Sequence, residues 1–161
     1  DISVSNGGCE DSLNIVRSRG TLDEIKIIKA FADAVDIDFS NVSINNLIVK
    51  KAGNDCFDVS SGNYKITKAK LLQCSDKGIS VGEASTLNLG HVNLLSANIG
   101  ISSKDSSKVE ITSAKVTSVN ICLEAKQKKQ EFGGASLQLG KLECDGMIEV
   151  DKHSKLKVLL Y

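Results

Sequence analysis

DCFDV at 55–59 is answered by KGISV at 77–81, and the offset between them carries the reading on which the rest of the chain depends. The same register extends in both directions. DSLNI starts at Asp11, DAVDI at Asp33, IGISS at Ile99 and ICLEA at Ile121, so that six starts share one step of about 22 residues. Five consecutive steps of one length do not arise by chance, and a fixed period in the twenties is the mark of repeats stacked as a solenoid.

Apolar residues within each unit alternate in bursts of three to five, the period of strands and not of helices. One inward column reads Leu13, Val35, Phe57, Ile79, Ile101, Leu123 and Ile148; its neighbour reads Ile15, Ile37, Val59, Val81, Ser103, Ala125 and Val150. A second strand supplies Leu22, Ile44, Ile66, Leu89, Ile111, Leu139 and Val158. A third supplies Ile27, Val49, Leu71, Leu94, Val116 and Cys144. The expected fold is therefore all-β: a right-handed parallel β-helix of about seven coils of about 22 residues, with three strands per coil, over residues 1–161 as one domain. A leucine-rich repeat would need LxxLxLxxN and a helical return, and a β-sandwich would not hold the register.

Asn54, Asp76, Asn98 and Asn120 recur just before the first strand of successive coils. Asn and Asp tolerate left-handed backbone, which predicts that they turn this corner. One bend lengthens by a single position between the Val59–Ile66 step and the Val81–Leu89 step. The addition must be recovered at the next corner for the coils to stay aligned. Ile2 and Val4 align one coil before Ile25 and Ile27, so the chain opens in the third strand of an earlier coil, and it stops in a second strand after Val158. A fragment of a longer chain, or an oligomer joined through open solenoid ends, is the expectation.

The composition suits a thin core of stacked aliphatics: no Pro, no Trp, four Phe and two Tyr. Twenty acids balance twenty bases, which argues against a broad nucleic-acid footprint. No apolar run is long enough for a membrane-spanning helix, so no membrane insertion is expected. The five cysteines (Cys9, Cys56, Cys74, Cys122 and Cys144) lack CxxC spacing and read mainly as small buried residues. His91 and His153 lie far from any cysteine pair, which disfavours structural zinc.

Candidate chemistry falls on the first strand, where the residue between the two inward positions faces outward. Stacking makes it a column of Asn14, Asp36, Asp58, Ser80, Ser102 and Glu124, with neighbours about 4.8 Å apart. Stacked carboxylates repel, which makes Asp36, Asp38 and Asp58 candidate Ca²⁺ ligands. The column then changes sign, because Lys77, Lys104, Lys126, Lys128 and Lys129 belong to the later coils. The loop KQKKQEFGG adds about six residues between Ala125 and Leu137, and solenoid insertions map to loops on one face. Asp36, Lys77, Lys104, Glu124, Lys126, Lys128, Lys129 and Phe132 are the candidate ligand-binding residues, with an acidic polysaccharide as the candidate partner.

Four segments carry a resemblance: ADAVDI (32–37), GNDCFDV (53–59), DKGISVG (76–82) and GISSK (100–104). They are similar to coils of the pectin-lyase-like superfamily, especially polygalacturonase-type glycosidases, over roughly residues 31–105. The resemblance implies acids at Asp33 and Asp55, a substrate contact at Lys104 and carbohydrate as the substrate class. The family's second paired acid is Asn54 here, its His is Lys77 and its Arg is Ser102, which leaves hydrolysis by two or three carboxylates incomplete. DKGISVGE, GISSKDSSKV and KKQEFGG also resemble β-helix repeats of bacterial surface or secreted proteins, some attached to CotH-type domains. That resemblance implies an extracellular or cell-surface accessory module.

The leading expectation is thus a non-catalytic β-helix module that binds glycan or acts as a scaffold. A carbohydrate-active enzyme (lyase, epimerase or glycosidase) using Asp33, Asp55, Asp58 and Lys104 is the alternative, and a structural fibre or tailspike segment the third.

Overall fold

The computed structural model describes residues 1–159 as thirteen parallel-paired β-strands in one continuous sheet, with no helix among the described residues. They begin with β1 (Ile2–Gly7), β2 (Asp11–Val16), β3 (Arg19–Ala30), β4 (Asp33–Asp38), β5 (Asn41–Ala52) and β6 (Phe57–Ser60). β7 (Asn63–Cys74), β8 (Lys77–Gly82), β9 (Thr86–Lys104) and β10 (Lys108–Lys126) follow, then β11 (Ser136–Cys144), β12 (Met147–Val150) and β13 (Lys155–Val158). The path β1-β3-β5-β7-β9 climbs one side of the solenoid, and β8-β6-β4-β2 returns along the other. The molecule is a β-solenoid of about seven turns, each about 22 residues long.

Registers match the sequence columns. Asp36 pairs with Asp58, Phe57 with Ile79, Ile79 with Ile101 and Leu123 with Ile148. Inside, Ile25, Ile27, Ile37, Leu47, Val49, Phe57, Leu71 and Ile79 are wholly buried in one stacked core. Parallel strands sheltered from water on their inner face favour such runs of aliphatic side chains.

Second and third strands of a coil run together as one element, and in β9 and β10 the first strand of the next coil joins them through left-handed Ser96 and Ser118. Among the described non-glycine residues, left-handed backbone falls in two columns. One is Asn6, Lys29, Lys51, Gln73, Ser96 and Ser118, ahead of the first strand; the other begins Arg17, Phe39 and Ser61, ahead of the second. The expected turn-formers Asn54, Asp76, Asn98 and Asn120 are not among them. Their side chains instead bridge coils: Asn54 Nδ2 donates to Asp33 Oδ1 at 2.8 Å and Asn120 Nδ2 to Asn98 Oδ1 at 3.0 Å. The lengthened bend holds two left-handed residues, Glu83 and Ala84, where the previous coil has Ser61 alone. Recovery follows as expected: the longer step from Leu72 to its partner Leu95 gives way to the ordinary step from Lys77 to Ile99.

The reading of the cysteines as small buried residues is corrected in its chemistry. Cys56 is bonded to Cys74 and Cys122 to Cys144, each joining the start of a first strand to the third strand of the same coil; Cys9 is free and exposed. The corner they fill is tight. A Cβ on Gly78 would lie 1.8 Å from Leu94 Cδ1, and one on Gly100 2.5 Å from Val116 Cγ1. Cys122 and Cys144 occupy the equivalent pair of positions one coil further on, where a covalent link replaces small-against-large packing.

Candidate functional site

The first-strand face carries two neighbouring outward columns, set by strands whose alternate residues are pinned in the core. In one, Asn14, Asp36, Asp58, Ser80, Ser102, Glu124 and Glu149 stack in register. The other places Asp38 beside Ser60 and Lys104 beside Lys126.

Side chains knit these columns together. Asn14 Nδ2 donates to Asp36 Oδ2 at 3.0 Å, and the Ser60 hydroxyl donates to Asp38. Lys104 Nζ donates to Ser80 Oγ at 2.7 Å, and its charge also acts on Asp58. Ser102 Oγ donates to Glu124 Oε2 at 2.6 Å, while Lys126 Nζ holds Glu124 Oε1 at 2.6 Å. Because Lys104 and Lys126 lie along the face and bond to it, Ser80 and Ser102 are wholly buried and Glu124 nearly so. The expectation of a solvent-facing column holds for Asp36 and Asp58, which stay partly exposed, and fails for its later half.

Asp33 and Asp55 serve a different purpose. Asp33 Oδ1 accepts the backbone N–H of Asp55 at 2.8 Å, and Asp55 Oδ1 accepts that of Lys77 at 2.9 Å. Each carboxylate thus struts the corner of the next coil, and at 3% exposure Asp55 offers little to a substrate. Lys77 lies between Asp55, at 3.5 Å, and Asp76. Lys129 pairs with Glu83, and Lys128 is exposed. Phe132 is half-buried in its loop.

That loop is held by Asp105, which the sequence reading passed over. Buried at a left-handed corner, its Oδ1 accepts the backbone N–H of Lys128 at 2.6 Å and of Lys129 at 2.7 Å. The usable signal was an acid following Lys104 at a corner where the first three coils have Arg17, Phe39 and Ser61. Beyond the loop, Glu124, Lys126, Ile148, Glu149 and Asp151 line an open groove of about 450 Å³.

Electrostatics follow burial. Desolvation, then the charges of Asp38 and Asp58, push Asp36 up to about 7. Asp55 is pushed up to about 6 by burial, against the pull of Lys77. Burial also raises Asp58 and lowers Lys104, and each opposes the shift of the other by attraction. Asp36, Asp38 and Asp58 are neighbours, but among the described residues no three acidic, His or Cys side chains gather closely enough to hold a metal ion.

The raised Asp36 pKa has a measurable consequence. The folded chain keeps a proton that the unfolded chain has already released, so Asp36 makes folding less favourable as pH rises from 3.8 to about 7. The melting temperature of wild type should therefore fall across that window, with Asp55 contributing in the same direction up to about 6. Asp36→Asn should flatten the curve and melt above wild type at pH 8. A variant curve parallel to wild type would remove Asp36 as the source.

The fold and this hydrogen-bonded face define the chain as a parallel β-solenoid with a polar first-strand surface. No protein-family model, curated protein or solved structure matches it.

Proposed function

We propose that this chain is a non-catalytic β-solenoid module of a secreted or surface protein, and that its first-strand face binds glycan. The observation that carries this is the state of the charged groups. Asp33 and Asp55 are committed to backbone N–H groups, and Lys77, Lys126 and Lys129 each lie against a carboxylate. What remains accessible is Asp36 and Asp58, the amines of Lys104 and Lys126 that cover Ser80, Ser102 and Glu124, and the groove beside Glu149 and Asp151. Such paired groups suit a hydroxyl-rich neutral sugar better than the polyuronate first expected. Two disulfides fit an oxidising, extracellular compartment. The pectin-lyase-like resemblance agrees with carbohydrate as the ligand class.

A glycan array, with and without Ca²⁺, tests the reading. Wild type should bind neutral oligosaccharides, and a Lys104→Ala/Lys126→Ala/Lys128→Ala variant should bind at least about tenfold more weakly. No signal from either protein would sink it.

One observation favours a second reading, a carbohydrate-active enzyme. Lys104, with its amine pKa lowered by burial, lies on Ser80 next to Asp58, as a base for removing the proton beside a sugar carboxylate would. Unsaturated products from polyuronate, followed by absorbance, would establish that reading in place of the first.

A further inference from the structure

The zero net charge of the chain conceals a separation of charge around the coil. In the coils that begin at Asp11, Asp33 and Asp55, acids collect on the first strands. Lysines collect on the third strands of the same coils. Lys26, Ile48 and Lys70 stack in one outward column, and Ile28, Lys50 and Leu72 in the next. Lys68 opens its third strand, where the two earlier coils have Glu24 and Asn46, and Lys29 and Lys51 follow at the left-handed corner. All but the half-buried Lys26 are exposed, and among the described residues none of these six lysines forms an ion pair. In later coils the pattern lapses: Asn93 and Leu95 replace the lysines, and Lys115 is paired with Glu143 at 2.6 Å.

The alternation has a physical rationale. Like charges stacked directly across strands repel. With an aliphatic between them, Lys26 and Lys70 stand two strand spacings apart, about 10 Å. The result is that Lys26, Lys50 and Lys70, one to a coil, alternate between the two columns at even intervals along the solenoid axis, each beside half-buried Ile28, Ile48 or Leu72, while Lys29 and Lys51 stack directly at the corner.

We infer that this third-strand face binds a linear polyanionic glycan laid along the axis. Evenly spaced anions on a chain of sugar rings match evenly spaced ammonium groups, and the aliphatics offer the rings an apolar footing. A nucleic-acid strand fits less well, because these columns hold no aromatic side chain for base stacking. A lipid surface fits less well too, since the aliphatics among the lysines are half-buried and the exposed Phe31, at the corner after Lys29, is a small anchor compared with the apolar face that surface insertion needs. This face lies apart from the first-strand face proposed above to bind glycan, and neither depends on the other.

Dextran sulfate is the probe, with uncharged dextran as control. Wild type should bind dextran sulfate at about 50 mM salt, release it as salt rises, and ignore dextran. Lys26→Gln/Lys50→Gln/Lys70→Gln should bind at least about tenfold more weakly with an unchanged melting curve. Lys104→Gln/Lys126→Gln should bind dextran sulfate like wild type, which separates this face from the first-strand one. Absence of wild-type binding, equal loss in both variants, or tighter binding to phosphatidylserine–phosphatidylcholine vesicles than to dextran sulfate would each overturn the inference.

Discussion

Phe57→Ala is expected to destabilise the protein by about 3–5 kcal/mol, the usual cost of removing a fully buried aromatic side chain from a core. Phe57 is the largest wholly buried side chain, in register with Ile79 above and in the column of Val35 below. A parallel β-solenoid cannot close such a cavity readily, since the strand spacing is fixed by the hydrogen bonds of both neighbouring coils. For a chain of this size the loss corresponds to a melting temperature lower by about 6–20 °C. Denaturant unfolding and thermal melts of the variant measure it. A change below about 1 kcal/mol would mean that Phe57 does not occupy the centre of the stack.

Breaking the Cys122–Cys144 link should come next in size. It closes a span of 22 residues that includes the pinned 127–135 loop, and a closure of that length contributes about 3 kcal/mol. A Cys122→Ala/Cys144→Ala variant should melt about 6–12 °C below wild type, and reductant should lower wild type further by also opening Cys56–Cys74. Thiol alkylation gives an independent reading. Native protein should take up label at Cys9 alone, and reduced, unfolded protein at all five cysteines. Labelling of Cys122 or Cys144 in the oxidised native chain would refute the pairing.

The stacked architecture was legible because every inward column repeats at one interval, and a strand register that slips by a single position would turn the aliphatics outward. Corners were less so. Lysine, glutamine and serine at positions 29, 51, 73, 96 and 118 have no particular preference for left-handed backbone, and closure of the coil imposes it on them. The disulfides were hidden for a related reason. Cys122 and Cys144 belong to different columns, and only the equivalence of that pair with Gly78–Leu94 and Gly100–Val116 shows how a first-strand residue meets a third-strand one. On the candidate site, sequence placed Asp36 beneath Asp58 and Ser80 beneath Ser102. It did not show that Lys104 and Lys126 would lie down over the serines, because that depends on the path of a long side chain toward its hydrogen-bond partner.

The doubled corner at Glu83 and Ala84 and the anchored excursion at 127–135 share a lesson about how such a chain can change. Extra residues enter where the path turns, and the ladder resumes alignment downstream: Ser136 still pairs with Lys108 despite the whole excursion lying between them. Corners therefore work as expansion joints. Length added at a turn is absorbed before the next strand, so the rim can carry an excursion without displacing the shaft.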